Sequence, residues 1–322
     1  MTRPKVIVTN WVHDPVIARL GAVAEVEANA TREPWSADEV RARCRDAEAL
    51  VAFMTDCVDA DFLAACPRLK IIACALKGFD NFDVQAIRDA GVALSIVPDL
   101  LTEPTAELAV GLAIALGRNI LAGDRRMRDG TFQGWRPTLY GFGLDGSVVG
   151  VIGLGAVGSA IAARLQGFGC RLIGHDPSAP APRGVASCGL DELVASSDLV
   201  ILAAPLTPTS RHLIDRSAIA AMKPGARLVN VGRGSTVDER AVADALEEGR
   251  LAGYAADVFE LEDWGLPDRP RRVDPRLLAH PATVFTPHLG SAVDEVRLAI
   301  ALRAADNVID VLNGIPARDR LV

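Results

Sequence analysis

Residues 148–160 read VVGVIGLGAVGSA, an apolar run that turns through Gly153, Gly155 and Gly158 into the helical pattern AVGSAIAARLQGFG at 156–169. In a strand, turn and helix of this form the first glycine permits the tight turn. The second lets a pyrophosphate approach the backbone, and the third lets helix and strand pack closely. The next apolar run, CRLIGHD (170–176), ends in Asp176 at the spacing of about 20 residues where an acid meets a ribose. A carboxylate there accepts bonds from ribose hydroxyls and repels a 2′-phosphate, so NAD is expected rather than NADP. The bland alternative for Asp176 is a turn residue ahead of Pro177.

Downstream come LVILAAP (199–205), RLVNVG (227–232), LAGYAADV (251–258) and TVFTPH (283–288), which would complete a six-stranded doubly wound sheet. Upstream, short β-branched runs (KVIVT 5–9, ALVAFM 49–54, KIIACAL 70–76, VALSIV 92–97) alternate with helical patterns such as SADEVRARCRDA (36–47) and FDVQAIRDAG (82–91). Little polar alternation inside the strands implies parallel sheets covered on both faces. Ser36 with Glu39 has the form of a capping box, and Gly91 stands where a left-handed residue ends a helix. Thr102 is read as the cap of one long apolar helix, AELAVGLAIALGRNI (106–120), with Pro104 in its first turn. The stretch DGTFQGWRPTLYGFGLDG (129–146) is too irregular for either element. The expected class is α/β with two doubly wound parallel-sheet domains. A Rossmann NAD-binding domain spans 101–290, and a flavodoxin-like substrate domain is built from 1–100 and 291–322.

Half of the 322 residues are apolar and 23% are charged, which suits a packed enzyme. A net charge of −7 without a basic block argues against nucleic acid and membrane headgroups as partners. No apolar stretch reaches the roughly 20 residues of a membrane span, and MTRPKVIVTN (1–10) carries no long apolar leader, so a soluble cytoplasmic protein is expected. Cys44, Cys57, Cys66, Cys74, Cys170 and Cys188 form no C-x-x-C pair and read as reduced core residues; nothing calls for a metal.

Ligands of doubly wound sheets bind past the carboxyl ends of the strands. Arg233 in NVGRGSTVDE, Asp257 in GYAADVFELED and His288 in FTPHLGSAV each fall at or after such an end and are expected to converge on one cleft. A cation, a carboxylate and an imidazole are the parts needed to hold an anion and move a proton while a nicotinamide exchanges hydride. Glu262 is one partner for His288; Glu260 and Asp263 are physical alternatives.

The motifs GLGAVG (153–158), PLTPTSRHLI (205–214), MKPGARLVNVGRGSTVDE (222–239), AADVFE (255–260) and TPHLGSA (286–292) resemble the NAD-dependent D-2-hydroxyacid dehydrogenase family from about residue 50 to about 310. The resemblance implies that Arg233 holds the substrate's anionic group and that His288, oriented by Glu262, is the acid or base. It places Asp257 at the nicotinamide carboxamide. Further cofactor contacts are implied for Lys77, Thr105, Gly153, Gly155, Ala156, Val157, Gly158, Asp176, Pro205, Leu206, Val231 and Gly232.

One departure bears on the substrate. CALKGFDNFD (74–83) offers Lys77 where the family usually shows a small or apolar residue. A second cation about 4 Å from an anion adds on the order of 4 kcal/mol at an effective dielectric near 20, before desolvation, which suits a dianion. ALVAFMTDCVDADF, CALKGFDNFD, VPDLLTEPTAELA, FQGWRPTLYGFGLD and GYAADVFELEDW resemble the phosphite-oxidising members of the family most closely. That resemblance implies phosphite as substrate. Lys77, Gly78 and Arg233 would clamp its oxygens, His288 would act on water, and Met54, Trp135, Tyr140, Ser291 and Arg297 would line or border the site. The alternatives are an ordinary D-2-hydroxyacid dehydrogenase and, from another class, an NAD-sensing corepressor-like scaffold. The helix and aromatic loop around WRPTLYGF resemble the family's dimer arm, so a two-fold homodimer is expected.

Overall fold

Strand residues of this chain alternate between two apolar clusters, the signature of sheets covered on both faces. The computed structural model describes residues 3–322. The chain divides into two units, one of residues up to 101 with 264–267 and 292–322, the other of 102–263 with 268–291. The sequence reading gives 264–267 to the second unit; the structure packs it with the first.

The first unit runs β1 (Lys5–Val8), α1 (Asp14–Gly21), β2 (Glu25–Ala28), α2 (Ala37–Cys44), β3 (Ala49–Ala52), α3 (Ala60–Ala65), β4 (Ile71–Cys74), α4 (Val84–Asp89) and β5 (Ala93–Ser95). Its strands are all parallel in the order β2-β1-β3-β4-β5, the flavodoxin-like arrangement. Local signals set the helix ends. Ser36 and Glu39 form the capping box of α2, Asp59 and Asp83 cap α3 and α4, and Gly91 leaves α4 at φ 68°.

The second unit runs α5 (Thr102–Gly117), α6 (Ile120–Arg128), β6 (Val148–Ile152), α7 (Ala156–Leu165), β7 (Arg171–His175), β8 (Ala186–Ser187), α8 (Leu190–Ser196), β9 (Leu199–Leu202), α9 (Arg216–Ala221), β10 (Ala226–Asn230), α10 (Glu239–Glu247), β11 (Leu251–Ala256), α11 (Pro275–Ala279) and β12 (Thr283–Phe285). Its parallel sheet has the order β12-β11-β10-β9-β6-β7-β8. This is seven strands, not the six expected. The added β8 is two exposed residues, too short to leave a hydrophobic pattern, and it pairs with Ile173 and Gly174 of β7.

The expected long helix is broken. Asn119 adopts φ 54°, and its side-chain amide donates to the carbonyls of Leu139 and Tyr140 at 3.2 and 3.3 Å. The Gly117 carbonyl accepts the Phe142 amide at 2.7 Å. The irregular 129–146 loop thus takes up the Gly117 carbonyl, which a continuous helix would have used. Thr102 is not the cap: it lies inside α5 with its buried hydroxyl unbonded. Among the described residues no single helix is long and apolar enough to cross a membrane.

α12 (Asp294–Leu312) returns to the first unit. There Val6, Val8, Ala49, Val51, Ile71 and Ala73 pack with Ile300, Ala304 and Val308 of α12. The intervening Ile7, Leu50, Ala52 and Ile72 pack on the other face with Val40, Phe62 and Ile87. In the second unit Val149, Ile201 and Val229 meet α5 and α7, while Val200, Leu202 and Leu228 meet α8 to α10. Each fully buried aliphatic side chain stabilises its unit by about 1.5–3 kcal/mol. That holds the strand ends, and the loops beyond them, in fixed register. Three cysteines, Cys44, Cys66 and Cys74, are buried as expected, whereas Cys57 is exposed.

Candidate active site

Each of the three fingerprint glycines meets a different constraint. Gly153 adopts φ 86°, and a Cβ there would stand 2.8 Å from the Ala204 amide nitrogen. At Gly158 a Cβ would lie 1.8 Å from the Gly153 carbonyl oxygen, so only a bare Cα lets α7 sit this close to the turn. Beside Gly155 nothing lies within 4 Å. That open space faces the start of a ten-residue helix, where unpaired amides and the helix dipole favour an anion. A diphosphate fits there against Gly155, Ala156 and Val157.

Asp176 directly follows β7, and its part in the turn is built into its geometry. Its carboxylate accepts the amides of Leu154, Ser178 and Ala179 at 2.7, 2.8 and 2.8 Å. Partial burial opposes its ionisation, but these three donors outweigh it and hold the acid below its ordinary range. A carboxylate offers about four acceptor sites, so the turn leaves room for a ribose hydroxyl. Pro205, Leu206, Val231 and Gly232 follow β9 and β10, past the carboxyl ends of the neighbouring strands.

Arg233 is held between two close backbone contacts. A Cβ on Gly232 would lie 2.4 Å from the Ala204 carbonyl oxygen, and one on Gly234 would lie 1.9 Å from the Phe259 carbonyl carbon. Buried Asn230 completes the clamp, donating to the Arg233 carbonyl at 2.9 Å and accepting the Gly232 amide at 3.0 Å. Sequence reasoning missed Asn230; a buried amide at a strand end was the signal available.

His288 occupies a left-handed backbone position, φ 56°, unusual for a residue with a side chain. Its Nδ1 meets Glu262 Oε2 at 2.6 Å, while Glu262 Oε1 accepts the Phe259 amide at 2.8 Å. Nδ1 is thereby the oriented nitrogen, and Nε2 is the one left to exchange a proton. Of the three carboxylates left open by sequence, the structure selects Glu262. Glu260 bonds the Glu239 amide, and Asp263 bonds the Ser235 amide.

Asp257, just past β11, is engaged by the turn that follows β12. Its carboxylate accepts from Thr286 Oγ1 and the amides of Leu289 and Gly290 at 2.6, 2.7 and 2.8 Å, so it builds the His288 turn. Burial raises its pKa against the pull of these bonds. Thr105 of α5 adjoins the same turn: a Cβ on Gly290 would lie 3.0 Å from its hydroxyl. Ser291 follows, buried.

Trp135 and Tyr140 are not brought to this turn within the chain. Both are 77% exposed on the 129–146 loop, which is tied to Gly117 and Asn119. Gly117 lies 12 helical residues beyond Thr105, about 18 Å along α5 at 1.5 Å per residue.

In the first unit, Met54, Lys77, Gly78 and Arg297 gather at the carboxyl edge of the sheet. The Met54 carbonyl accepts Asn81 Nδ2 at 3.0 Å, joining the turns after β3 and β4. Arg297 reaches from α12 to the Ala75 carbonyl at 3.4 Å, two residues before Lys77, with its guanidinium 5.8 Å from the Phe53 ring centre. Burial lowers the Arg297 pKa. Lys77 is half-buried and makes no hydrogen bond or ion pair among the described residues. Beside Arg297 a cavity of about 300 Å³ is also lined by Trp11, His13, Arg32 and Asp294, residues the sequence did not single out. Trp11 and His13 follow β1 and Arg32 follows β2, where the carboxyl-end rule would have found them, whereas Asp294 opens α12.

A glycine cradle for a dinucleotide and, in the same unit, an oriented histidine beside a carboxylate define an NAD-dependent dehydrogenase. Comparison with known proteins agrees. Residues 110–290, more than half of the chain, match the family described as D-isomer specific 2-hydroxyacid dehydrogenase, NAD binding domain. The chain is 36% identical to a glyoxylate reductase of Aeropyrum pernix, over 98% of this chain and 94% of that protein. It is 35% identical to one of Thermococcus onnurineus, over 97% and 94%. The crystal structure of the TT0316 protein from Thermus thermophilus superposes with a TM-score of 0.91 at 34% identity, covering 99% of this chain and all of that one. The chain belongs to the D-isomer specific 2-hydroxyacid dehydrogenase family, and its second unit is the family's NAD-binding domain.

Proposed function

We propose that this enzyme interconverts a small 2-hydroxy acid and its 2-oxo acid, with glyoxylate and glycolate the first pair to test. The Nδ1–Oε2 contact of His288 and Glu262 carries the reading, because it leaves Nε2 to give a proton to the substrate oxygen or take one from it. Glu262 stabilises the imidazolium, and Arg233 holds the substrate carboxylate. The bound nicotinamide supplies the hydride or accepts it. The glyoxylate reductases at 33–36% identity support this choice. Identity at that level leaves room for another small anion.

A second reading is oxidation of phosphite to phosphate, with water as the source of the new oxygen and His288 as the base that takes its proton. What favours it is the pair of cations, Lys77 and Arg297, at one edge of the first unit. The CALKGFDNFD and FQGWRPTLYGFGLD segments support it too. Lys77 and Gly78 would then bind phosphite oxygens, and Met54 would border them.

One steady-state assay separates the two. NADH consumption with glyoxylate, and none formed with phosphite, supports the first reading; NADH formation with phosphite alone replaces it with the second. Turnover with neither removes phosphite and glyoxylate, and absence of turnover across a panel of other small 2-oxo acids then removes the first reading as well.

A further inference from the structure

The turn that carries Glu262 is held by a second carboxyl group. Glu239, the first residue of α10, is 4% exposed. Its Oε1 accepts the Glu260 amide at 2.7 Å, and Glu260 Oε1 accepts the Glu239 amide at 2.9 Å. This reciprocal clasp joins the start of α10 to the single 3-10 turn Glu260–Glu262. Two neighbouring contacts run the same way. Gly234 abuts the Phe259–Glu260 backbone, and Asp263 accepts the Ser235 amide at 2.7 Å.

We propose that Glu239 is a positioning residue for the His288–Glu262 dyad, fixing the Glu260–Glu262 turn and so the angle at which Glu262 meets the imidazole. The inference rests on His288 being the acid–base group. Helix capping does not account for Glu239, because Asp238 already caps α10 through the Ala241 amide at 3.0 Å. Nor does solvation, since a carboxyl is costly to bury unless its bonds matter.

The clasp also ties the dyad to pH. Glu239 faces Glu260, Glu262 and Asp263 on the turn and Tyr254 on β11. His212 stands beyond Glu260, its Nε2 3.3 Å from Oε2, and Asp238 adjoins Glu239 in the chain. Burial first, then the repulsion of the three carboxylates, pushes the Glu239 carboxyl up to about 8. Below that pH it is neutral and accepts the Glu260 amide through its carbonyl oxygen. Above it, a further negative charge stands against the turn that bears Glu262.

The test compares E239Q, E239A and H288N of the full chain, using the substrate that the assay above identifies. E239Q keeps an acceptor for the Glu260 amide without a titrating proton. It is expected to hold kcat within about twofold of wild type at pH 7 and to lose an alkaline limb near pH 8 that wild type shows. E239A is expected to lower kcat by about tenfold to hundredfold with KM within about threefold, the pattern of a misplaced dyad. Wild-type kcat in E239A, or a wild-type alkaline limb in E239Q, overturns the proposal. If E239A does not fold, the E239Q profile decides. H288N that turns over normally sinks the site reading itself, whereas an inactive H288N beside an unaltered E239Q profile sinks only the role of Glu239.

Discussion

The His288 amide donates to the Asp257 carbonyl at 2.9 Å while the Asp257 carboxylate binds the amides of the next two residues, Leu289 and Gly290. One aspartate at the end of β11 thus shapes the whole turn on which the imidazole stands. It also explains how His288 can keep φ 56°, a backbone state that costs on the order of 1 kcal/mol or more and needs fixed surroundings.

Asp257→Asn should therefore act on catalysis through geometry. An amide nitrogen in place of one oxygen meets either an N–H or a hydroxyl that already donates, and the turn must shift. A shift approaching 1 Å costs about a hundredfold in kcat. Stopped-flow or steady-state kinetics showing kcat within a factor of two of wild type would refute this account of the turn.

Gly155 and Gly158 should respond to alanine in opposite ways. At Gly155 a methyl enters open space at an ordinary φ of −61°, so the fold is expected to tolerate it while NAD affinity falls. At Gly158 the methyl would collide with the Gly153 carbonyl, and stability is expected to drop by about 1–3 kcal/mol from overpacking. Thermal unfolding with and without NAD distinguishes them; equal melting temperatures for the two variants would contradict the assignment.

Lys77→Ala is the substitution that reports on substrate charge. If phosphite is turned over, removing this cation should weaken its apparent affinity at least about tenfold, the equivalent of about 1.4 kcal/mol. Glyoxylate, if it is the substrate, should be affected by less than about threefold. A Lys77→Ala enzyme with unchanged phosphite KM removes the lysine from that reading.

Asp56 supplies a pH prediction for the first unit. Its Oδ2 accepts both Thr9 Oγ1 at 2.5 Å and the Phe53 amide at 2.7 Å, and burial pushes its pKa up to about 6 from 3.8. Between those values the unfolded chain has released the proton that the folded chain retains, so stability falls as pH rises through this window and stays lower above it. Asp56→Asn keeps one oxygen for both donors and removes the ionisation. It should be stabilised by on the order of 1–3 kcal/mol at pH 7.5 and unchanged near pH 3.5. Denaturant melts giving the same difference at both pH values would disprove the linkage.

We also expect a two-fold homodimer through the 129–146 loop, where Phe132, Trp135, Leu139 and Tyr140 are exposed. Sedimentation should give about twice the 34.0 kDa chain mass. A monomer at micromolar concentration would rule the arm out.

Sequence alone carried the doubly wound class, the glycine turn and the placement of Asp176, Arg233 and His288 past strand ends, because each depends on spacing along one strand, turn and helix. A tight turn needs its glycine wherever it occurs, and a residue just past a buried strand lies at the carboxyl edge by topology. Tertiary structure had to decide what depends on direction in space. It chose Glu262 over Glu260 and Asp263, turned Asp257 to the His288 turn, broke the helix at Asn119, and left Trp135 and Tyr140 at the far end of α5. Neighbouring carboxylates on one short turn point to different partners, and only the packing of distant segments such as Gly234 against Phe259 sets which way each one faces.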